Sequence, residues 1–497
     1  MRCEGRMGMK RSGGWMRDLA FHYETMRAAY PDENLVIVMD IDGTIIDERH
    51  LARSILQAYD REHGTRYSTN LSPGGMVFSP DNTCGILKGF PLTPDVRDEI
   101  AGWCMDGFWS SASVPGSHRP LPGVLDVIRW FQLQPRTAVG LNSARPERLR
   151  RETLQVLNAL GEEYHVRFED DLVCMNTGIG VPQGKIDGIR RLQARGYRVV
   201  TIIDSDRDNL DAMARIDAKG EILFLHADGM PGSLPLREER KSLQGKYYDL
   251  TELITRKRLP RHIEFAWHGV DDEDILRQFL ISSVSWAELH VRRHAGGTDL
   301  VLRRRPYAQV PPRQGENPAR LGDFLDILND AGRGVKLDLK DPGLTGSALD
   351  LLKAVGFTDD RVWITVGMEE VVRGALKPVL DAFPGSVRQC PVDGLSPMLN
   401  NAPGEAQRYL GMLSRRGIDR FSVNWRTPGS RRMIVRLQNW GYEVNIYDVP
   451  DLEAFLQAAL LMPRSLTSYF NFPKWFYTGR SDGGERRVRE SAVHPMS

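Results

Sequence analysis

The chain has 497 residues, more than one hydrophobic core usually serves, so at least two domains are expected. Its 66 lysines and arginines nearly balance 65 aspartates and glutamates, and the net charge of +1 removes the simplest electrostatic case for nucleic acid or an anionic membrane. Five cysteines without CxxC spacing argue against a disulfide framework or a cysteine zinc site, and no window reaches the roughly 18 apolar residues of a spanning helix. A soluble, cytoplasmic protein that takes no nucleic acid is expected; peripheral membrane contact and oligomeric state stay open.

Residues 1–30 read as an N-terminal extension with a helix over "WMRDLAFHYETMRAAY", Trp15 to Tyr30, stopped by Pro31. Strand-like runs follow at 35–40, 137–141 and 198–204, the last two separated by the helical stretches "ERLRRETLQVLNALG" and "KIDGIRRLQARG". That alternation predicts an α/β fold, a doubly wound parallel sheet over residues 31–229. An insertion at about 45–120 is too long for a structureless loop and predicts a helical cap, with Phe78, Phe90, Trp103, Phe108 and Trp109 as its aromatics.

The stretch 230–261, with "GMPGSLPL" and "RKRLPR", reads as a linker. Residues 262–478 then offer eight strand candidates, "HIEFAWHG", "WAELHVR", "GVKLDLK", "RVWITVG", "SVRQCPV", "FSVNW", "EVNIYDV" and "SLTSYFNF", with helical segments between many of them. Eight such units predict a (β/α)8 barrel, with an open doubly wound sheet as the alternative. The tail 479–497 is charged and expected to be disordered.

The first strand candidate ends in "DIDGT". Asp40 and Asp42 are two residues apart, so in extended chain they point the same way with roughly 6–7 Å between Cα atoms. Gly43 permits a sharp exit, and the Thr44 hydroxyl can orient a carboxylate or a substrate. "TIIDSDRDN" adds Asp204, Asp206 and Asp208 at another predicted strand end. Carboxylates about 5 Å apart repel by roughly 3 kcal/mol at an effective dielectric near 20, so a divalent cation with a phosphoryl group is expected as their partner. All-oxygen ligation favours Mg²⁺.

With "DIDGT", Ser143 in "GLNSARPE", Lys185 in "QGKIDG" and "IDSDRDN" in that order, the chain resembles the haloacid dehalogenase superfamily of phosphohydrolases over roughly residues 31–225. The resemblance implies that Asp40 is the nucleophile, forming an aspartyl-phosphate, and that Asp42 is the general acid and base. It implies that Ser143 and Lys185 hold phosphoryl oxygens, that Thr44, Asn142 and Arg145 contact substrate, and that Asp40, Asp42, Asp204 and Asp208 surround Mg²⁺. Which of Asp206 and Asp208 supports the metal stays open. Ser143 also fits a helix N-cap before "RPERLRRE", and Lys185 alone fits a solvated helix start.

In a barrel, active sites sit at the C-terminal strand ends. Those ends carry Trp267 and His268, Glu288 and His290, then Lys336, Asp338 and Lys340, followed by Asn424, Trp425, Asn445 and Asp448. Period two places Glu288 with His290, and Lys336 with Asp338 and Lys340, on shared faces. "AWHG", "WAELHV", "GVKLDLK", "VWITVG", "FSVNWRT" and "SYFNFP" resemble the glycerophosphodiester phosphodiesterase barrels, and within that clan the menorin family.

The resemblance implies His268 as acid/base group, Glu288 and Asp338 as ligands of a divalent ion (Mg²⁺, Ca²⁺ or Mn²⁺), and Lys336 and Lys340 as phosphate contacts. His290 stands where a second metal carboxylate is usual, and "RRRP" (303–306) where a second catalytic histidine is usual. The reading is a Mg²⁺-dependent phosphoric monoester hydrolase fused to a phosphodiesterase-like barrel with a degraded motif, acting on a small phosphorylated metabolite or a phosphodiester. Two alternatives stand beside it: a phosphate-ligand or lipid-headgroup binding protein with a non-catalytic barrel, and an active glycerophosphodiesterase with an accessory first domain.

Overall fold

The computed structural model of the protein describes residues 14–69, 93–110, 118–178, 180–227, 243–245, 248–254, 262–311 and 318–469. The N-terminal residues before 14, Phe78 and Phe90 of the insertion, and the charged tail lie outside these residues. No helix among them is long and apolar enough to cross a membrane.

The first domain is a six-stranded sheet of β1 (Asn34–Met39), β2 (Thr137–Pro146), β3 (Val173–Asn176), β4 (Tyr197–Asp204), β5 (Leu223–Ala227) and β6 (Leu243–Gly245), all parallel, in the order β3-β2-β1-β4-β5-β6. The run "LVIVM" of β1 has no polar alternation because it is buried on both faces. Leu35, Ile37 and Met39 join one apolar cluster, Val36 and Val38 the other. The strand order reverses at β1, between β2 and β4, and such switch points open a crevice at the carboxyl ends of the strands.

The helix Trp15–Ala29 packs on this sheet, where Tyr23 Oη lies 2.7 Å from Thr137 Oγ1 and His22 Nε2 2.9 Å from the Val200 carbonyl. Among its described residues the insertion holds two helices, Glu48–His63 and Pro94–Ser110, as the cap reading expects. Asp47 caps the first by accepting from Arg49 N, and Gly64, at φ 67°, ends it in the left-handed conformation. Tyr59 stacks on His63 with centroids 4.0 Å apart and meets Trp103 edge-on at 5.7 Å, so Trp103 belongs to the cap's own interior.

Part of the stretch read as linker belongs to the first domain. Residues 243–245 form the edge strand β6, and Tyr248 is buried with its hydroxyl donating to the Thr44 carbonyl at 2.9 Å. Trp15 packs on the Tyr248 ring at 5.0 Å. A Cβ at Gly123 would come within 2.2 Å of the Tyr248 carbonyl oxygen, so the backbones touch there. The composition of 230–261 hides this because the pieces that order it are short: a three-residue strand, Tyr248, and the helical turn Leu250–Leu253 with Leu250, Leu253 and Ile254 buried.

The second domain contains β7 (Glu264–Trp267), β8 (Trp286–Arg293), β9 (Leu300–Leu302), β10 (Gly334–Leu339), β11 (Val362–Thr365), β12 (Val387–Pro391), β13 (Arg420–Asn424), β14 (Glu443–Val449) and β15 (Ser465–Ser468). Of these nine strands, β9 pairs only with β8 and is antiparallel, while the other eight are parallel and close when β15 pairs with β7. This is the (β/α)8 barrel, and all eight strand candidates of the sequence lie in it. The hairpin strand β9 is an addition, formed by "LVL" ahead of the arginine run.

At the N-terminal strand ends the buried Arg420 reaches Glu264 at 2.9 Å and Glu443 at 3.3 Å across the barrel floor. The two domains share one continuous apolar cluster. Along their seam Arg431 pairs with the buried Asp126 at 3.1 Å, His165 Nε2 lies 2.9 Å from Gln438 Oε1, and Arg129 donates to the Leu460 carbonyl at 3.2 Å.

Candidate functional site

The β1 ladder carries Asp40 to the sheet edge, where its N–H donates to the Ile203 carbonyl at 2.8 Å. The chain then turns through Gly43, at φ 73°, and folds back so that the Ile45 and Ile46 N–H groups both donate to the Ile41 carbonyl at 2.8 Å. Asp47 N bonds the Arg119 carbonyl at 2.8 Å, so the two stems of the cap insertion leave and return side by side just beyond Asp40 and Asp42.

Asp40, Asp42 and Asp204 are all buried, and each needs compensation. Lys185 supplies it for two of them. Gly180 and Pro182 start the helix Val181–Ala194 so that Lys185 enters the crevice almost fully buried. Its Nζ donates to Asp40 Oδ1 at 2.6 Å, to Asp204 Oδ2 at 2.8 Å and to the Asn142 carbonyl at 2.6 Å. Arg145 supplies the rest, with two N–H groups on Asp42 Oδ1 and Oδ2 at 2.7 Å each.

Within the chain itself, a buried lysine and an arginine fork are thus partners of these carboxylates. Burial, reinforced by Asp204 and Asp42, outweighs the pull of Lys185 and pushes Asp40 up to about 7. Burial disfavours the Lys185 ammonium, yet Asp204 and Asp40 outweigh it and its pKa lies above the usual lysine value.

Three buried carboxylates against two cations leave one negative charge over. With an oxygen-only donor set, that surplus suits Mg²⁺. Asp206 is committed elsewhere: its carboxylate caps the helix Arg207–Ala214 by accepting from Asp208 N at 2.7 Å and Asn209 N at 3.3 Å, while Asp208 is exposed. Among the described residues, the aspartates do not bring three ligand atoms within 4.8 Å of one another.

Ser143 is not a helix N-cap, because β2 continues past it; its hydroxyl accepts from Arg145 N at 3.1 Å. Lys185 is not a solvated helix start. Asn142, expected as a substrate contact, instead braces the helix, donating to the Lys185 carbonyl at 2.8 Å. Thr44 is fully buried, and its hydroxyl has no hydrogen-bond partner among the described residues. Asp42 is held by Arg145 through its carboxylate and by Ser205 through its carbonyl.

In the barrel, β7, β8 and β10 bring His268, Glu288, His290, Lys336 and Asp338 to one mouth. His268, Glu288 and His290 each offer a ligand atom, all within 4.8 Å of one another, and all three are buried. Lys336, expected as a phosphate contact, is buried as well, with Nζ 2.7 Å from Glu288 Oε1 and 2.9 Å from Thr467 Oγ1, so it serves as an internal counter-charge. Burial works to raise the Glu288 pKa, but Lys336 and His268 outweigh it and hold this carboxyl well below its ordinary range.

Asp338 lies at the rim, 4.0 Å from His290 Nε2 and 2.5 Å from Lys340 Nζ. His268, expected as an acid/base group, packs with its ring on Tyr469 at 4.3 Å and on His290 at 4.9 Å. Arg304, from the arginine run, donates to Tyr469 Oη at 2.7 Å and extends this layer.

Four residues of these sites escape the sequence reading. Asp271 accepts from His290 N at 2.8 Å and lies 2.6 Å from His290 Nδ1. It hides in the acidic run "DDED", whose neighbour Asp272 is an ordinary helix cap. His118, at the return stem of the cap, is buried, and burial together with Arg145 pushes it down to about 4. Tyr248 and Tyr469 carry no signal in their spacing; only three-dimensional proximity reveals them.

No family model matches this chain, and no curated protein matches it. Similar solved structures are of two kinds. A phosphodiesterase from Oleispira antarctica, determined with the product sn-glycerol-3-phosphate, is 15% identical, covers 43% of this chain and 94% of its own, and superposes with a TM-score of 0.33. A glycerophosphodiester phosphodiesterase from Agrobacterium tumefaciens is 16% identical over 43% of this chain and 99% of its own, with a TM-score of 0.29. A haloacid dehalogenase-like hydrolase from Streptococcus pneumoniae is 14% identical over 39% of this chain and 85% of its own, with a TM-score of 0.28. Each of these likenesses spans less than half of this chain.

Proposed function

We propose that the first domain is a Mg²⁺-dependent phosphoric monoester hydrolase acting through a phosphorylated Asp40. The observation that carries the reading is Lys185, buried between Asp40 and Asp204 at the tips of adjacent strands, with Asp42 two residues further on. Asp40 attacks phosphorus as the ester P–O bond breaks, and Asp42 gives its proton to the departing alkoxide. Water then attacks the acyl phosphate, loses a proton to Asp42, and releases phosphate from Asp40.

Lys185 and Ser143 face the transferring oxygens. For Asp42 to carry the proton, one arm of the Arg145 fork must open. Asp40 and Asp204, with Asp208 as candidate third carboxylate, would hold Mg²⁺, which supplies positive charge beside the phosphoryl oxygens.

The barrel is proposed to take a phosphodiester or its phosphorylated product, with Lys340 and Arg304 as anion contacts at its rim. A diester opened there leaves a monoester of the kind the first domain hydrolyses. A cytoplasmic location fits the free, buried Cys174 and Cys390. The test is p-nitrophenyl phosphate offered to the full chain with Mg²⁺. Turnover that requires the ion and disappears in Asp40→Asn is expected; turnover that survives Asp40→Asn rules out the nucleophile.

A further inference from the structure

We infer that the barrel mouth is a transition-metal site in which His268, Glu288 and His290 are the protein ligands, in place of an oxygen-only Mg²⁺ or Ca²⁺ site. The inference concerns what the barrel binds and holds whether or not a diester is cleaved there.

The geometry is close to that of a bound ion. The three ligand atoms lie within 4.8 Å of one another. Bonds of about 2.0–2.2 Å in tetrahedral array place ligands roughly 3.3 Å apart, a gap that small side-chain rotations close. Three protein ligands leave a fourth position for water or a phosphate oxygen.

Two independent features point to a ligand. Asp271 lies 2.6 Å from His290 Nδ1 and accepts from the His290 backbone N–H at 2.8 Å, which fixes the ring and leaves Nε2 facing Asp338 and the mouth. A carboxylate behind a histidine is the usual outer support of a metal-bound imidazole. In addition, Nε2 of the buried His268 has no hydrogen-bond partner among the described residues, while its Nδ1 is paired with Glu288 Oε2. A buried donor atom left so is relieved by an electrophile held against it.

Charge selects the kind of ion. Affinity for hard cations grows with the number of uncompensated carboxylates, and here Glu288 is already matched by Lys336 at 2.7 Å and Asp338 by Lys340 at 2.5 Å. Mg²⁺ and Ca²⁺ therefore gain little. Two neutral imidazoles keep their donor strength regardless, and they favour Zn²⁺, Co²⁺ and the later first-row ions.

The test uses the full chain, stripped with a chelator and titrated with Co²⁺ alone, read by visible absorption and by elemental analysis after dialysis. Uptake into a nitrogen-and-oxygen site is expected, displaced by Zn²⁺ but not by an about hundredfold excess of Mg²⁺ or Ca²⁺. Asp271→Asn should weaken Co²⁺ binding by roughly 10- to 100-fold. His290→Asp, which keeps a ligand and so guards against mere misfolding, should shift the preference towards Mg²⁺. Asp40→Asn should leave the barrel uptake unchanged, separating it from any ion held by the first domain. Absence of Co²⁺ uptake, displacement by Mg²⁺ at equal concentration, or a spectrum indifferent to both His268→Gln and His290→Asp would overturn the inference.

Discussion

Replacing Lys185 by methionine keeps the length of the side chain and removes its charge, leaving Asp40 and Asp204 buried with nothing between them. Each contact, at 2.6 and 2.8 Å, is worth about 6 kcal/mol of Coulomb energy at an effective dielectric near 20. Most of that is offset by no longer having to desolvate the ammonium, and loss of one partner from a buried ionic cluster costs about 3–5 kcal/mol net. Followed by urea unfolding of the full chain, with a slope near 3 kcal/mol/M, the midpoint should fall by roughly 1–2 M.

Against the upward push of burial, Lys185 holds the Asp40 pKa down to about 7, so the folded variant takes up its proton at higher pH than the intact chain, and the deficit should shrink as the pH falls towards about 7 and level off below it. Adding Asp40→Asn should recover much of the loss, since the double variant no longer holds two facing charges. A midpoint shift below about 0.3 M, or a double variant no more stable than Lys185→Met, would refute the assignment of Lys185 as counter-charge.

Gly188→Ala places a Cβ 2.2 Å from Asn142 Oδ1 and 3.0 Å from the Cys174 Cβ, so the helix bearing Lys185 must shift. A loss of about 1–3 kcal/mol in the same urea experiment is expected. His118 titrates near its ordinary 6.5 when unfolded and at about 4 when folded, driven down first by burial and then by Arg145. Across that window the unfolded chain binds more protons, so stability falls as the pH drops, by up to about 3 kcal/mol, and His118→Asn should flatten the profile. Burial pushes the Cys390 thiol up to about 12 and also raises that of Cys174. Iodoacetamide should label neither in the native chain and both after denaturation, as read by peptide mass spectrometry.

The eight barrel strands are legible because each is a short β-branched or aromatic run at the right distance from a helical stretch. β9 is three residues long and disappears into the basic segment around it. "DIDGT" and "IDSDRDN" announce two strand tips, but not that they are neighbours; β1 pairing with β4 puts Asp40 beside Asp204. Repulsion among the acids is visible in the sequence, whereas its remedy is not. Lys185 arrives from a helix, and Arg145 from an irregular stretch of β2 braced by Ser143. In the barrel, period two correctly unites Glu288 with His290 on the inner face. It says nothing of Lys336 as their internal counter-charge, nor of Asp271 reaching back from the loop after β7.

Tyr248 has a consequence for how this protein can be divided. Tyr248, on the strip of chain that leads from the sheet to the barrel, is stitched to the loop after β1 at the Thr44 carbonyl, to Trp15 and to the bare backbone of Gly123. A fragment ended near residue 229 would forfeit an edge strand and the hydrogen bond to the Thr44 carbonyl, so a cut that spares the first domain belongs after Ile254. Any lengthening of this strip upstream of Tyr248 would slacken the very stitch that holds the loop in place.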